Sequence, residues 1–324
     1  MISRKHCNNV MKYSFVLPAY KAKFFQEALD SILSQTYKDF ELIIVNDASP
    51  EDLDSIVKSY DDIRIRYYVN EQNIGGKDLV AQWNHCLNYA DGEYVILASD
   101  DDVYSPLYLK KMDELVCRYP DVNVFRPRIQ IIDESNNVMD VLGEISERVS
   151  RIEFFYYWMK EHVGSGIPYY VFKKEAILSI RGFHKFPLAW FSDDATVFEL
   201  SKNDLVFCNE VLFSFRFSGI NITTKKNTTK VLSHKLTALV EFDRWICPII
   251  NEMSPQDERD IEHFEYIKNN WISFVQYKAY DLLNHSSLGA AVMNLKFLIN
   301  QRWCSVCWAV KSYTKILIKR LMNK

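Results

Sequence analysis

Short apolar runs alternate with segments of helical periodicity along the first half of the chain, which predicts strands alternating with helices. The predicted strands are Tyr13–Leu17, Phe40–Val45, Ile63–Val69, Tyr94–Ala98 and Val122–Phe125. Helices are predicted at Phe24–Gln35, after an N-cap at Ser49, from Asp78 to about Ala90, and after Ser105-Pro106. This order is typical of a mostly parallel sheet whose strands are joined by right-handed crossovers.

Polar side chains follow four of these strands at the point where each strand ends. Tyr20 comes after the first strand, Asp47 after the second, Asn73–Gly76 after the third and Asp100–Asp102 after the fourth. Ligands of open α/β sheets bind in the crevice beyond the carboxyl ends of the strands. The sequence therefore predicts one binding crevice lined by these residues.

The second half of the chain has a different pattern. From about Ile152 it is rich in aromatic residues, a strand is predicted at Val211–Phe217, and the sequence after Asn227 is mainly helical. The polar stretch Asn221–Lys230 is the predicted boundary. We therefore expect an α/β domain over residues 1–220 and a helical region over residues 221–324.

Composition indicates a folded protein without a disulfide framework or a membrane span. Hydrophobic residues make up 48% and aromatic residues 14% of the 324 residues, which is enough for a substantial core. The seven cysteines are odd in number and irregularly spaced, so we expect reduced thiols. No stretch approaches the roughly 18 apolar residues that a membrane span needs, and Met1–Lys12 lacks an apolar signal core. We therefore expect a cytoplasmic protein.

The last part of the chain is basic, although the whole chain carries a net charge of −3. No acidic residue follows Asp281, whereas seven basic residues do. Apolar residues from Trp303 onward recur on one helical face, beside a stripe formed by Lys311, Lys315 and Lys319. This pattern favours a peripheral contact with the inner face of a membrane, and a terminal helix docked on the core is the alternative. The acidic remainder of the chain disfavours nucleic acid as a partner.

Asp100, Asp101 and Asp102 directly follow a predicted buried strand. Three adjacent carboxylates repel one another unless a cation or hydrogen-bond donors compensate for their charge. Mg²⁺ and Mn²⁺ prefer oxygen ligands and typically bind one or two carboxylates together with substrate phosphates. A solvated acidic turn would also explain the run, but its place after a buried strand favours a metal site.

A series of motifs surrounds these residues in a fixed order: Phe15–Tyr20, Ser31–Thr36, Glu41–Ser49, Asn73–Gly75, Trp83-Asn84, Ala90–Tyr94, Ser99–Asp102 and Pro106. Together they resemble the opening of family 2 glycosyltransferases, which have the GT-A fold. The resemblance extends over about Tyr13–Tyr119 and is patchy as far as Phe217. It implies a Rossmann-like, mostly parallel sheet flanked by helices, a nucleotide-sugar donor and a divalent cation, Mn²⁺ or Mg²⁺.

The resemblance also implies which residues contact the donor nucleotide: Pro18, Ala19, Tyr20, Asp47, Asn73 and Gly75. The first three would line the nucleobase pocket, with Tyr20 stacked on the base. Asp47 would accept a hydrogen bond from the base, and the other two residues would border the nucleotide.

The aspartate run would contact the rest of the donor. By the same resemblance, Asp100 contacts the ribose or the sugar, while Asp101, with help from Asp102, holds the metal on the diphosphate. Many relatives have Asp at the position of Ser99, so the aspartate run of this chain is displaced by one residue. The division of roles between Asp100 and Asp102 therefore stays open.

A second set of motifs resembles the acceptor side of the same family: Phe172–Ala176, Arg181–Phe183 and Ser192–Leu200. An acidic pair opens a helix in this region of the family. By this resemblance Asp194 is the catalytic base, and Asp193 stands where Glu is usual. Helix capping is the alternative, because carboxylates are favoured at a helix N-terminus. Ser218 stands where relatives often have His, so metal binding would depend on the aspartates alone.

The function implied by the resemblance is that of an inverting, metal-dependent hexosyltransferase. It would move a sugar from a nucleotide diphosphate, most commonly UDP, to a hydroxyl of a glycan or lipid-linked acceptor in bacterial surface polysaccharide or lipopolysaccharide synthesis. A sugar-phosphate nucleotidyltransferase is the main alternative, but Pro18–Lys23 is a poor match to the Gly- and basic-rich loop of such enzymes. A non-catalytic sugar-nucleotide-binding protein is disfavoured by the presence of Asp47, Asp101 and Asp194 together.

Overall fold

The computed structural model describes residues 12–219 and 228–322, without the side chains of Leu295 and Lys296. The described chain divides into two compact units. The first comprises residues up to His184 together with Thr196–Phe217, and the second comprises Lys185–Ala195 and the chain from Ser218 onward. The predicted domain boundary between residues 220 and 221 lies outside the described residues.

The strands all belong to the first unit. Within the described residues they are β1 (Tyr13–Ala19), β2 (Phe40–Asn46), β3 (Ile65–Val69), β4 (Tyr94–Leu97), β5 (Val103–Tyr104), β6 (Val124–Ile132), β7 (Val138–Val141), β8 (Arg148–Val149), β9 (Val171–Lys173) and β10 (Leu205–Arg216). Every strand predicted from the sequence is confirmed, although β6 extends seven residues beyond its predicted end and β10 begins six residues before its predicted start. The short strands β5, β7, β8 and β9 were not predicted.

These strands form one mixed sheet with the main order β3-β2-β1-β4-β9-β6-β10-β5. The strands β3, β2, β1 and β4 run parallel, as predicted. β9 lies antiparallel between β4 and β6, whereas β10 runs parallel to β6. The carboxyl ends of β1, β2, β3 and β4 therefore meet at one edge, where the polar residues were predicted to gather.

Helices cover the sheet of the first unit and make up most of the second. In chain order they are α1 (Phe25–Leu33), α2 (Leu53–Lys58), α3 (Leu79–Leu87), α4 (Tyr108–Arg118), α5 (Arg151–Met159), α6 (Lys174–Ser179), α7 (Ser192–Leu200), α8 (Thr229–Glu252), α9 (Glu258–Asn284), α10 (Leu288–Ile299) and α11 (Val306–Met322). The predicted helical character after Asn227 is confirmed over the described residues.

Local capping explains where two of these helices begin. Asp78 caps α3 as predicted, because its carboxylate accepts a 3.0 Å hydrogen bond from the backbone N–H of Ala81. The predicted cap of α2 at Ser49 is wrong: Asp52 accepts the 3.0 Å bond from Ser55 N–H instead. The hydroxyl of Ser49 donates to the Tyr20 carbonyl at 2.6 Å, which ties together the loops that follow β1 and β2.

The core of the first unit keeps the strand ends in place. β2 is buried along its whole length, as expected for a parallel strand covered on both faces. The ring of Phe15 on β1 contacts the rings of Phe40 and Tyr104, with centroids 5.8 and 5.1 Å apart. Edge-to-face pairs of this kind add to the free energy of hydrophobic burial.

A buried aspartate organises the helices of the second unit. Asp243 on α8 is 2% exposed, and its carboxylate accepts bonds from the indole N–H of Trp271 at 2.8 Å and from the guanidinium of Arg302 at 2.8 and 3.0 Å. These contacts join α8, α9 and the loop before α11. A buried charge is tolerated in this way only when it is paired and hydrogen-bonded.

The last helix packs through a narrow face. Ala309, Ser312 and Ile316 of α11 are buried, whereas Val306 and Val310 are 60% and 59% exposed. The terminal helix therefore packs within the second unit and also exposes apolar side chains, and its predicted contact with a membrane stays a prediction. Among the described helices, none is both long and apolar enough to cross a membrane.

Asp243→Asn should lower the free energy of unfolding by about 1.5–3 kcal/mol, because the hydrogen bonds to Trp271 and Arg302 would lose their charged acceptor. Glu265→Gln is the matched control, since Glu265 forms only an exposed 3.9 Å ion pair with Lys268 and should cost less than about 1 kcal/mol. Chemical denaturation measures both variants. Equal effects would contradict the structural role of Asp243.

Candidate active site

Asp47 fixes the loop that follows β3. It stands directly after β2 and is 4% exposed. Its carboxylate accepts hydrogen bonds from the backbone N–H groups of Ile74 and Gly75 at 2.8 and 2.7 Å and from the side-chain amide of Asn70 at 2.8 Å. A Cβ atom at position 75 would lie 2.9 Å from the Asp47 carboxylate, so the close approach requires glycine.

Tyr20 is the one residue of the predicted nucleobase-pocket trio whose side chain extends into solvent. Its side chain is 42% exposed, whereas Ala19 is fully buried in β1. The parallel register pairs Ala19 with Asn46, so Tyr20 and Asp47 follow neighbouring strand ends. The backbone N–H of Asp47 donates to the Ala19 carbonyl at 2.9 Å. The predicted base-stacking tyrosine and the predicted base acceptor therefore share one edge of the sheet.

Asp100, Asp101 and Asp102 leave β4 as three nearly buried carboxylates, 6%, 6% and 1% exposed. One oxygen of Asp100 accepts the backbone N–H groups of Tyr20 and Lys21 at 2.9 and 2.8 Å. Burial raises the pKa of Asp100, despite the attraction of Lys21. Burial, followed by the charge of Asp101, raises the pKa of Asp102 to about 8.

The ammonium of Lys21 pairs with two carboxylates of this cluster. It lies 2.9 Å from Asp101 Oδ2 and 3.1 Å from Asp100 Oδ1. Burial works against the charge of Lys21, yet its ion pairs with the two aspartates raise its pKa. Lys21 therefore compensates for the charge of two of the three carboxylates.

Arg216, at the end of β10, holds the third carboxylate and the backbone of the run. Its backbone N–H donates to Asp102 Oδ1 at 2.8 Å, and its guanidinium Nε donates to the Asp101 carbonyl at 2.8 Å. The fully buried guanidinium also forms a 2.7 Å ion pair with Glu27. Ser99, which stands where relatives often have Asp, donates its hydroxyl to the other oxygen of Asp102.

The donor set of this cluster suits a hard divalent cation in part. Asp101 offers carboxylate oxygens at the edge of the sheet, and one of them accepts a hydrogen bond from the ammonium of Lys21, which sits on a flexible stem. Both oxygens of Asp102 already accept hydrogen bonds within the protein. Over residues 12–219 and 228–322, no three His, Cys, Asp or Glu side chains are arranged to hold a metal ion together. Water or the phosphate oxygens of a ligand would complete the shell of a cation bound at Asp101.

The two sets of sequence motifs meet within the first unit. Asn84 on α3 accepts a 2.9 Å hydrogen bond from the backbone N–H of Phe183, and the ring of Trp83 contacts the ring of Phe183 at 5.8 Å. Gly182 has a φ of 97°, and a Cβ there would lie 2.2 Å from Asn84. The Trp83-Asn84 motif thus anchors the Arg181–Phe183 turn.

The acidic pair opens α7, and its aspartates belong to the second unit. Asp194 is 8% exposed, and its backbone N–H donates to the Asp193 carboxylate at 2.9 Å. Burial, followed by the charge of Asp194, raises the pKa of Asp193 well above its usual range. A carboxyl pair of this kind suits proton transfer, because the two groups resist simultaneous ionisation.

The turn before the acidic pair is strained and is held by α8. Leu188, Ala189 and Phe191 have φ values of 58°, 56° and 67°, which are unfavourable for residues with a Cβ. The ring of Phe191 stacks on Phe242 with centroids 4.8 Å apart, and the Lys235 ammonium lies 4.1 Å from the centre of the Trp190 ring. Strained backbone supported by dense packing is common at functional sites.

Sequence reasoning missed the roles of Lys21 and Arg216. From the sequence, Lys21 is only part of Pro18–Lys23, the poor match to the Gly- and basic-rich loop of nucleotidyltransferases, and Arg216 has no predicted role. The signal available for Lys21 was its place directly after the first strand, on the same sheet edge as the aspartates. For Arg216 there was no local signal, because its partner Asp101 is 115 residues away in the chain.

Residues 14–174 match the family model described as glycosyl transferase family 2. The chain carries a family 2 glycosyltransferase domain. The matched residues include the predicted strands β2, β3, β4 and β6 and the aspartates predicted to follow β2 and β4.

Curated relatives match less than half of this chain. An uncharacterized glycosyltransferase of Methanocaldococcus jannaschii, MJ1057, is 31% identical over 155 residues, which is 46% of this chain and 52% of that protein. The chain thus spans about half the length, or less, of the curated relatives it matches.

Solved structures confirm the GT-A fold. The S. aureus protein TarS, residues 1–349, in complex with UDP-GlcNAc is similar with a TM-score of 0.63 at 14% identity, over 97% of this chain and 93% of that one. The mannosyltransferase PcManGT from Pyrobaculum calidifontis, in complex with GDP-Man and Mn²⁺, gives a TM-score of 0.55 at 16% identity, over 97% and 88% of the two chains. The family 2 domain therefore lies within the predicted fold class.

Gly75→Ala should destabilise the family 2 domain by about 1–3 kcal/mol, because the new methyl group would push against the Asp47 carboxylate. Gly289→Ala is the control, since a Cβ at that helical position meets no atom within 4 Å and alanine favours a helix. Thermal unfolding compares the two. A Gly75→Ala protein as stable as the control would contradict the tight Asp47 loop.

Proposed function

We propose that the protein is an inverting, metal-dependent glycosyltransferase that moves a sugar from a nucleotide diphosphate, UDP foremost, to an acceptor hydroxyl. The observation that carries the proposal is the gathering of Tyr20, Asp47 and the Asp100–Asp102 run at one edge of a GT-A sheet. In open α/β sheets this edge is where ligands bind.

The nucleotide would lie across the loops that follow β1, β2 and β3. In this proposal the exposed ring of Tyr20 stacks on the base, and Asp47 accepts a hydrogen bond from it while its bonds to Ile74 and Gly75 hold the loop. Pro18, Ala19, Asn73 and Gly75 border the pocket, and Asp100 faces the ribose or the sugar. The solved structural neighbours with UDP-GlcNAc and with GDP-Man support a nucleotide-sugar donor.

Asp101 is the carboxylate we assign to the divalent cation, Mn²⁺ or Mg²⁺. We give Asp102 a supporting role, because its oxygens are engaged by Arg216 and Ser99 and fix the run beside Asp101. A cation bound on the diphosphate would offset the negative charge of the leaving group, an effect worth several kcal/mol. The Mn²⁺-bound mannosyltransferase neighbour supports this cofactor class.

Asp194 is the general base in this proposal. Its carboxylate takes the proton of the acceptor hydroxyl while the acceptor oxygen forms a bond to the anomeric carbon. The bond between that carbon and the diphosphate oxygen breaks, the electron pair leaves with the nucleotide diphosphate, and the configuration inverts. The raised pKa of the neighbouring Asp193 supports proton handling at this pair.

The acceptor side of the proposal is a glycan or lipid-linked molecule of bacterial surface polysaccharide or lipopolysaccharide synthesis, met at the inner face of the membrane. The exposed apolar residues of α11, including Val306 and Val310, lie on a helix that also exposes Lys311, Lys315 and Lys319. Apolar contact and attraction to anionic lipid act together on such helices.

The donor test measures nucleotide diphosphate released from UDP-, GDP- and dTDP-sugars, with Mn²⁺ or with EDTA. One of these donors should release its nucleotide diphosphate when Mn²⁺ is present and not when EDTA is present. Asp194→Ala should lower its turnover by about 10²–10⁴-fold with nucleotide affinity kept, and Asp101→Ala should weaken binding of the metal with nucleotide. Asp121→Ala, which removes an exposed partner of Arg148, is the control and should keep activity.

If Asp194→Ala kept full turnover, Asp194 could not be the general base. Equal turnover with EDTA and with Mn²⁺ would contradict the proposed requirement for a metal. Nucleoside triphosphate formation that depends on pyrophosphate would point to the nucleotidyltransferase instead, and binding without turnover under every acceptor tried would favour a non-catalytic protein.

The membrane test is co-sedimentation with vesicles that contain anionic lipid. Replacing Lys311, Lys315 and Lys319 with Gln should weaken binding about 100-fold, since each lysine near an anionic surface contributes about 1 kcal/mol. The control is a triple Gln variant of Lys58, Lys202 and Lys268, three exposed lysines elsewhere on the chain. Equal losses in both variants, or no binding by the unmodified protein, would refute the contact.

A further inference from the structure

The ammonium of Lys21 lies where a cation is needed by the aspartate cluster. It is 2.9 Å from Asp101 and 3.1 Å from Asp100, which is hydrogen-bond distance to two buried carboxylates at once. Lys21 is therefore their resident counter-ion.

The backbone and the side chain of Lys21 are held differently. The backbone N–H donates to Asp100 at 2.8 Å, beside the same bond from Tyr20. The side chain, in contrast, is 30% exposed and reaches the cluster only through its terminal ammonium. Since a lysine has a flexible four-carbon stem and no fixed hydrogen-bond fork, the ammonium can leave the carboxylates while the backbone stays in place.

We propose that Lys21 is a positioning residue that keeps Asp101 neutralised without donor and yields it to a divalent cation only when a diphosphate arrives. This inference rests on the proposed function, because it concerns the metal and the donor named there. Without donor, a divalent cation must displace the ammonium from Asp101. With a diphosphate bound, the ammonium has a second anion to pair with, and the carboxylate becomes available.

Arg216 makes this exchange possible without collapse of the cluster. It holds the Asp101 carbonyl and the Asp102 carboxylate through separate bonds of 2.8 Å each. Because these bonds do not involve the Asp101 carboxylate, that group can change partners while its backbone remains fixed. The exchange therefore requires movement of one side chain only.

The test measures Mn²⁺ binding to the purified full chain in the absence of any nucleotide. The electron paramagnetic resonance signal of free Mn²⁺ reports how much of the metal is unbound. Lys21→Met should bind Mn²⁺ at least about tenfold more tightly than the unmodified protein. The reason is that removing an adjacent positive charge raises the affinity of a carboxylate for another cation by one or more powers of ten. Lys21→Arg should bind as weakly as the unmodified protein. Lys23→Met is the matched control, because Lys23 pairs with the exposed Glu134 and should leave Mn²⁺ affinity unchanged.

A second measurement adds UDP. UDP should strengthen Mn²⁺ binding more in the unmodified protein than in Lys21→Met, because only the unmodified protein must release an ammonium from Asp101. By linkage, Mn²⁺ should strengthen UDP binding by the same factor in each protein. If Lys21→Met does not fold, as judged by thermal unfolding, Lys21→Gln takes its place with the same expected direction. Unchanged Mn²⁺ affinity in the folded Met or Gln variant would overturn the proposal, as would tight binding by Lys21→Arg.

These outcomes separate the inference from the proposed function. A protein that turns over a nucleotide sugar but whose Lys21 variants bind Mn²⁺ like the unmodified chain keeps its function and loses this inference. A protein that binds no nucleotide with any metal loses the proposed function, while the comparison of Mn²⁺ binding without nucleotide still decides the role of Lys21 as counter-ion.

Discussion

Three nearly buried carboxylates stand side by side at the end of β4, and much of the first unit is arranged to compensate for their charge. Lys21 pairs with two of them, and the backbone of the β1 loop donates two N–H groups to Asp100. Arg216 and Ser99 satisfy the third. An uncompensated buried charge would cost several kcal/mol, so the cluster depends on strand ends being brought together from across the sheet.

This arrangement links stability with chemistry. Carboxylates that are buried for ligand binding must be held in the absence of the ligand by groups of the protein itself. The same reasoning applies to Asp47, whose carboxylate is kept in place by the N–H groups of Ile74 and Gly75. In the second unit, the strained turn that leads to the acidic pair is supported by the stack of Phe191 on Phe242.

The sequence predicted the parallel half of the sheet because its strands are short, largely apolar runs and the connecting helices show helical periodicity. Asp78 as a helix cap was visible for the same local reason. The antiparallel β9 was not, because its place between β4 and β6 depends on partners distant in the chain. The cap of α2 was misplaced because Ser49 and Asp52 both have suitable side chains, and the tertiary bond from Ser49 to Tyr20 decides between them.

The candidate site was predictable as a set of residue types after strand ends, and its internal contacts were not. Asp47, Asp100 and Tyr20 were expected on one edge, and they lie there. That Lys21 neutralises the aspartates and that Arg216 fixes them could not be read from spacing, since both contacts join residues far apart in the chain. The roles of Asp47, Asp101 and Asp194 toward the donor and the acceptor remain predictions.

The central claim is that the carboxyl edge of this sheet binds a nucleotide diphosphate together with a divalent cation at Asp101. The most direct measurement is a crystal structure of the full chain with UDP and Mn²⁺, with the metal located by anomalous scattering. We expect a base against Tyr20 and an anomalous peak about 2.0–2.3 Å from an Asp101 oxygen and from diphosphate oxygens. Ordered nucleotide bound elsewhere, or a metal held away from Asp101, would contradict it.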